Sequence, residues 1–231
     1  MEIEICANSR QSAANAKAGG AKRIELCRQL EVGGTTPAEE DIRYCVHELG
    51  LRTHVLVRPR AGDFCYTDAE MEQVCAAVEM CRRAGAHAVV AGFLTAEGKI
   101  DEERTRRIVE LAKPMEVTFH RAFDEMRQEP QEALEAVIRC GCHRLLTSGC
   151  KPTAEEGIET LRQLVKQAGG RIAILAGAGI TPENAARIAG KTGVGEVHGS
   201  CKQRLADGST VTSREIVERL IEALDEHKLY Q

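Results

Sequence analysis

One pattern runs along the 231 residues of the chain eight times: a short strand-like run followed by an amphipathic helix. The strand-like runs are residues 2–6, 23–27, 53–58, 87–92, 116–121, 143–147, 171–175 and 194–198. Regular alternation of this kind predicts a parallel sheet connected by crossover helices. Eight units with short connections favour a closed barrel over an open Rossmann sheet. The predicted fold class is therefore α/β, a single (β/α)8 TIM barrel.

No linker-like stretch divides the chain into two domains. With 43% hydrophobic residues the chain can bury a sizeable core, and its length suits one α/β barrel. The longest irregular stretch, residues 199–211, follows the last strand and is interpreted as a loop at the rim of the barrel. We predict one TIM-barrel domain over residues 1–231.

Helix starts carry a local signal in four places, where a threonine is followed by a glutamate three residues later. Such a capping box satisfies backbone N–H groups at both positions. The four pairs are Thr36 with Glu39, Thr67 with Glu70, Thr153 with Glu156, and Thr212 with Glu215.

The charge balance argues against two classes of partner. The net charge is −4 and the 29% charged residues form no long run of one sign, so neither a nucleic-acid surface nor a membrane surface is expected. The N-terminus lacks the basic start and apolar core of a signal peptide, so the protein is expected in the cytoplasm. The ten cysteines are then expected to be reduced thiols.

Strand residues alternate between the two faces of a sheet, so the apolar set of each strand identifies the opposite set as facing the barrel lumen. The residues predicted to face inward are Glu4, Cys6, Glu25, Cys27, His54, Leu56, Arg58, Thr118, His120, Glu196 and His198. Barrel interiors are normally filled by Val, Ile and Leu, and buried charges are costly unless paired. Two explanations stay open: an internal ion-pair network around Arg58, or a functional site at the carboxyl ends of the strands.

The loop after the third strand, residues 58–66, brings Arg58, Arg60 and Asp63 to the face where barrels of this type carry their active sites. A guanidinium offers a rigid fork of donors that suits a carboxylate or a phosphate. The loop therefore predicts an anion site, and the alternative is a salt-bridged surface loop.

The turns after the last strands predict an anion site as well. Gly177 and Gly179 follow the seventh strand and Ser200 follows the eighth, where barrels commonly hold a phosphate with backbone N–H groups. Hydroxyl donors beside them come from the segment Thr147, Ser148 and Gly149. Glycine-rich turns also occur simply because a tight turn needs positive φ, and this alternative stays open.

These residues predict an enzyme acting on a small phosphorylated or carboxylated substrate as one possible function. Arg58 and Arg60 would bind the anion, and Glu25 and His120 would handle protons. Asp124 follows the strand that ends at His120, so it would orient His120 or pair with an arginine.

Five segments together resemble the CutC copper-homeostasis family, in an order and spacing that cover most of the chain. They are IELC at 24–27, RPRAGDFCY at 58–66, TFHRAFD at 118–124, LTSG at 146–149 and GAGI at 177–180. Ala61 and Ala178 stand where relatives usually have glycine. The resemblance implies a cytoplasmic barrel, often a homo-oligomer, that serves copper homeostasis and is proposed to bind copper(I) through cysteines.

Copper(I) is a soft ion that prefers thiolate or thioether ligands, with imidazole as a less soft option. The chain has no Cys-x-x-Cys, and the close pair Cys140 and Cys142 falls at the start of the sixth strand, on the opposite face. At the mouth of the barrel the candidate ligands are Cys27 and Cys65. Neighbours of these two in the topology are Cys6, Cys150 and Cys201.

Three functions therefore stay open from the sequence, and whether the chain is an enzyme stays open with them. The first is copper(I) binding, as the resemblance implies. The second is the enzyme on a small anionic substrate. The third is a regulatory or scaffold protein built on an old barrel, which a fold alone does not exclude.

Overall fold

The computed structural model describes residues 1–228 and confirms the closed parallel barrel. Its strands are β1 Glu2–Ala7, β2 Arg23–Leu26, β3 Arg52–Leu56, β4 Ala88–Ala91, β5 Glu116–Phe119, β6 Arg144–Thr147, β7 Ala173–Ala176 and β8 Glu196–Gly199. They pair in chain order, and β1 pairs with both β2 and β8, which closes the sheet. Each predicted strand overlaps one of these eight, with bounds that differ by a few residues.

A helix follows every strand of the barrel. The α-helices are α1 Arg10–Ala18, α2 Glu39–Arg43, α3 Asp68–Arg83, α4 Glu102–Ala112, α5 Pro130–Arg139, α6 Ile158–Ala168, α7 Ala185–Thr192 and α8 Arg214–Lys228. α2 continues directly into a π-helical segment, Tyr44–Glu48. Short 3-10 turns, Leu30–Val32 and Arg121–Glu125, lie in the loops after β2 and β5. No helix in residues 1–228 is long and apolar enough to cross a membrane.

The predicted capping boxes hold at one helix and fail at others for local reasons. Thr67 and Glu70 form the complete box at the start of α3. Thr36 caps nothing, because its hydroxyl bonds both the N–H and the carbonyl of Arg58 and so joins two loops. At α8 the hydroxyl that accepts from the helix belongs to Ser213, one residue after the predicted Thr212.

The predicted alternation of strand side chains is confirmed on both faces of the barrel. Outward residues such as Ile5, Ile24, Val55 and Phe119 are fully buried in the main core. A separate small apolar cluster lies inside the lumen and consists of Cys6, Cys27, Leu56 and Val90. The lumen is therefore lined by a different set of side chains from the core, as period-2 alternation requires.

The base of the lumen, at the amino ends of the strands, is filled by an ion-pair network. Arg23 pairs with Glu4 at 2.9 Å and with Glu196 at 2.6 Å. Arg144 pairs with Glu196 at 2.8 Å and with Glu116 at 3.0 Å. One explanation left open from the sequence was such a network around Arg58; the network exists, but Arg23 and Arg144 are the arginines that hold it.

Residues 199–211 are not the irregular rim loop that the sequence predicted. They contain most of an antiparallel hairpin, β9 Lys202–Arg204 with β10 Thr210–Thr212. Polar side chains of α1 and of the segment before it hold β10 in place: Asn8 and Asn15 donate to carbonyls of the strand, and Ser12 accepts from its backbone. These contacts with α1 hold the hairpin beside the carboxyl ends of the strands.

Candidate functional site

A cavity of about 710 Å³ opens at the carboxyl ends of the strands. Side chains that point into the lumen form its inner wall, among them Cys6, Glu25, Leu56, His120 and His198. The turns after β7 and β8 and the start of β9 form part of its mouth. The volume lies within the range of ordinary small-molecule sites.

The inner wall brings together a thiol, a carboxylate and an imidazole. One ligand atom each from Cys6, Glu25 and His198 lies within 4.8 Å of the others. The Sγ atoms of Cys6 and Cys27 are 3.9 Å apart, and Cys6 Sγ is also 3.9 Å from Glu25 Oε1. Neighbouring strands β1, β2 and β8 supply these side chains, which explains why residues distant in sequence converge.

His198 is held by the fully buried carboxylate of Glu4. The His198 Nδ1 to Glu4 Oε1 distance is 2.9 Å, and the other Glu4 oxygen lies 2.7 Å from His54 Nδ1. Burial acts to raise the pKa of Glu4, but hydrogen bonds and charge from His198 and His54 outweigh it and hold that pKa well below its usual range. Since Nδ1 of His198 donates to Glu4, Nε2 is its remaining ring nitrogen.

Glu25 and His198 have pKa values shifted by their shared burial. Burial, together with the nearby charge of Glu4, raises the pKa of Glu25 to about 7, against the lowering effects of His198 and Cys6. For His198 burial acts downward, but Glu25, Cys6 and Glu4 together raise its pKa well above the ordinary value. A carboxyl that titrates near neutral pH beside a charged imidazole is typical of functional sites.

His120 lies in the wall of the cavity as a neutral imidazole. Its Nδ1 accepts a hydrogen bond from the N–H of Ala122 at 3.1 Å, so in this tautomer Nε2 carries the proton. Nε2 is buried and has no hydrogen-bond partner within residues 1–228. Burial, helped by the charge of Arg58, lowers the pKa of His120 to about 3.

Arg58 is buried, with 6% of its surface exposed, and it also lines the cavity. Its guanidinium donates to the carbonyls of Val32, Gly34 and Gly62 and lies 4.8 Å from the centre of the Phe64 ring. These bonds join the loops after β2 and β3. Part of the donor set that the sequence assigned to an anion is therefore used by the backbone.

Apart from Phe64, which lines the cavity, the rest of the predicted loop, residues 59–66, lies outside the cavity wall. Arg60 pairs with Glu70 at 2.5 Å and with Asp63 at 3.0 Å, which is the salt-bridged loop that the sequence left as the alternative. Cys65 is exposed on this loop, whereas Cys27 is buried in the lumen next to Cys6. The structure therefore does not bring Cys27 and Cys65 together, because alternation turns Cys27 inward while Cys65 stands on an outer loop.

Asp124 does not orient His120. It accepts hydrogen bonds from Thr147 Oγ1 and from the N–H groups of Ser148 and Cys150, and it pairs with Arg121 at 2.8 Å. These bonds hold the loop after β6, so Thr147, Ser148 and Gly149 do not line the cavity. The predicted alternative, that Asp124 pairs with an arginine, is the one observed.

The turns after β7 and β8 place Gly179 and Ser200 in the cavity wall but leave Gly177 behind it. The N–H of Gly177 donates to Thr147 O at 3.0 Å, and a side chain there would collide with Leu146. The cavity residues Lys202, Thr181 and Arg219 were not predicted from the sequence. The first lies on the hairpin that was predicted as a loop, and no periodic signal marks the other two.

Backbone strain is concentrated in the loops at the carboxyl end of the barrel. Within residues 1–228, four residues other than glycine have φ in the left-handed region: Gln29, Cys150, Ala178 and Cys201. All four lie in loops after the carboxyl ends of strands, and Ala178 and Cys201 line the cavity. Strained backbone of this kind tends to cluster at functional sites.

Comparison with known proteins agrees with the fold and with the five sequence segments. The sequence model of the CutC family matches residues 1–203. A family protein CutC of Chromobacterium violaceum is 46% identical over 204 residues, which are 88% of this chain and 82% of that protein. The copper homeostasis protein cutC homolog of Mus musculus is 43% identical over 206 residues, which are 89% of this chain and 75% of that protein.

A solved structure extends the similarity to three dimensions. The crystal structure of a CutC protein from Streptococcus agalactiae superimposes with a TM-score of 0.82 at 30% identity. The match covers 87% of this chain and 98% of that one. The barrel, the order of its segments and these relatives agree, and the chain belongs to the CutC family, whose members are named for copper homeostasis.

Proposed function

We propose that the chain serves copper homeostasis by binding Cu(I) between the thiols of Cys6 and Cys27, beside the imidazole of His198. The 3.9 Å distance between the two Sγ atoms carries the proposal. Two metal–sulfur bonds of about 2.3 Å, the length that zinc makes, reach sulfurs up to roughly 4.6 Å apart. One ion therefore fits between these sulfurs without a movement of β1 or β2.

The chemistry of the surrounding groups supports the same ligand set. Thiolate suits the soft Cu(I) ion, and imidazole is acceptable to it. The hydrogen bond from His198 to Glu4 fixes the orientation of an imidazole that has a ring nitrogen within 4.8 Å of Cys6 Sγ. Glu25 offers a hard oxygen, so in this proposal it is not a ligand.

Binding would release protons, because ligands must be deprotonated. Hydrogen bonding with Cys27, together with burial, raises the pKa of the Cys6 thiol well above its usual range. The same thiol is thus protonated in the copper-free protein at neutral pH. We expect Cu(I) affinity to rise with pH.

Competition with a Cu(I) chelator under reducing conditions tests the proposal. The double variant Cys6→Ser, Cys27→Ser should lose more than the roughly 100-fold in affinity that removal of an outer-shell group costs. Cys65→Ser is the matched control, since this thiol is exposed outside the cavity. Glu25→Gln should keep Cu(I) affinity, because it removes no ligand.

Two other outcomes would contradict this site. A loss of affinity in Cys65→Ser comparable to that in Cys27→Ser would favour the pair predicted from the sequence. Unchanged affinity in the double variant would reject the lumen thiols.

The proposal also places the protein in the cytoplasm as a homo-oligomer. All ten cysteines are free thiols in the structure, which suits a reducing compartment. Cell fractionation tests the location, and light scattering on the reduced protein tests the assembly.

A further inference from the structure

The turns at the mouth of the cavity present a group of backbone donors that the fold leaves unused. The N–H groups of Ala178, Gly179 and Ile180 after β7, and of Ser200 and Cys201 after β8, donate to no acceptor within residues 1–228. All five residues line the cavity. Flanking groups behave differently: Gly177 N–H donates to Thr147 O, and Thr181 N–H donates to Asn184 Oδ1.

The cations at this cavity are only partly balanced by carboxylates. Arg219 pairs with Glu183 and Arg121 pairs with Asp124. In contrast, buried Arg58 and exposed Lys202 form no ion pair with any carboxylate of the described chain; both line the cavity. A buried charge without a counter-charge is costly, so the wall around Arg58 favours an anion.

A third donor is buried and also unsatisfied. His120 Nε2 carries the proton, lines the same cavity and has no partner in the described part of the chain. Leaving such a donor unpaired costs about 1–3 kcal/mol. An acceptor atom on a bound ligand would remove this cost.

We propose that the cavity binds the phosphate ester of a small polar organic molecule. The N–H groups of the two turns and Lys202 bind the phosphate, and the organic part extends inward to Arg58 and His120. Five N–H groups on two turns favour a phosphate, which offers three strong acceptor oxygens, over a carboxylate, which offers two. The cavity of about 710 Å³ leaves room for an organic group beyond the phosphate.

This site is additional to the proposed copper site and shares no ligand with it. Cys6 lies on the inner wall and Cys27 is buried next to it, whereas the phosphate donors lie on the turns and on β9. Phosphate binding is measured without copper and Cu(I) affinity is measured without phosphate. Failure of one proposal is therefore distinguishable from failure of the other.

Calorimetric titration of the full, reduced chain with inorganic phosphate, glycerol 3-phosphate, glycerate and glycerol tests the inference. We expect glycerol 3-phosphate to bind more tightly than inorganic phosphate, and glycerol not to bind. Lys202→Ala should lower the affinity for glycerol 3-phosphate and for inorganic phosphate about tenfold, because it removes one charge-assisted hydrogen bond. Lys166→Ala, an exposed lysine on α6, is the matched control and should bind as the parent does.

A second variant separates the two parts of the site. His120→Asn keeps a side-chain acceptor for the Ala122 N–H but removes the Nε2 donor. The variant should bind glycerol 3-phosphate more weakly and inorganic phosphate with unchanged affinity. Its melting temperature checks that it still folds. Tighter binding of glycerate than of glycerol 3-phosphate would overturn the phosphate assignment in favour of a carboxylate. Absence of binding by every probe at millimolar concentration would overturn the site.

Discussion

At the base of the lumen every buried arginine pairs with a carboxylate, whereas at its mouth buried Arg58 pairs with none from residues 1–228. Three arginines and three glutamates form one continuous chain at the base, from Arg52 through Glu116, Arg144, Glu196 and Arg23 to Glu4. At the mouth, Cys6, Glu25 and His120 face a cavity, with no arginine paired to Glu25 in the described chain.

This difference separates the groups that stabilise the barrel from the groups that are available to bind a ligand. Paired charges at the base satisfy one another, so they offer nothing to a ligand. Unpaired polar groups at the mouth carry an energetic cost that a ligand would remove. Glu4 connects the two ends, because one of its oxygens pairs with Arg23 and the other with His198.

The largest expected effect tests the base. Arg23→Met removes a guanidinium that is 1% exposed and leaves Glu4 and Glu196 without it. Breaking such a buried pair costs roughly 3–5 kcal/mol in the free energy of unfolding, measured by urea denaturation. Arg52→Met is the matched control at an exposed pair and should cost less than about 1 kcal/mol. Equal losses in the two variants would show that the base network is not a buried structural unit.

The second prediction tests the mouth, where removing a charged group should raise the stability of the fold instead of lowering it. The folded protein holds the pKa of Glu25 at about 7, above its ordinary value of 4.5, chiefly through burial. Between these two values the unfolded chain loses a proton that the folded chain keeps, so Glu25 lowers stability as pH rises and costs up to about 3 kcal/mol above pH 7. Glu25→Gln should therefore stabilise the protein at pH 8 and change little near pH 4.

Denaturation of both proteins at the two pH values measures this effect. His198 keeps Glu4 as its partner in the variant, so the imidazole retains a counter-charge. A gain of the same size at both pH values would mean that packing, and not the charge of Glu25, causes it. A loss at pH 8 would show that Glu25 is a structural group like those of the base.

Most of the fold could be predicted from the sequence because its signals are local. Strand alternation identified the inward faces correctly, down to Glu25 and His198 on strands distant in sequence. The same alternation turns Arg23 inward beside Glu25, and applying it there would have found the base network. The hairpin was missed because each strand has only three residues, β9 is exposed, and neither strand has an apolar pattern.

The candidate site was harder to predict because alternation gives the side that a residue faces and not its partner. Cys27 was correctly placed in the lumen, yet its neighbour is Cys6 on the adjacent strand and not Cys65 on the next loop. Asp124 stands four residues from His120 in sequence but bonds the loop after β6. Loop side chains form hydrogen bonds and contacts with elements that are distant in sequence. The spacing of residues along the chain does not predict which elements these are.

The smallest expected effect concerns the backbone, where the two ends also differ. At the base, residues with positive φ in the helix-to-strand turns are glycines, such as Gly85 and Gly193, whereas Ala178 at the mouth has φ of +75°. A residue with a side chain is strained by about 1–2 kcal/mol in this conformation. Glycine relieves that strain, but its greater loss of conformational entropy on folding offsets about 0.5–1 kcal/mol of the gain. Ala178→Gly should thus stabilise by roughly 0.5–1 kcal/mol, whereas Ala77→Gly inside α3 should destabilise by about 1 kcal/mol. Melting temperatures that fall in both variants would mean that the mouth stores no strain, and only the unpaired charges would then distinguish it from the base.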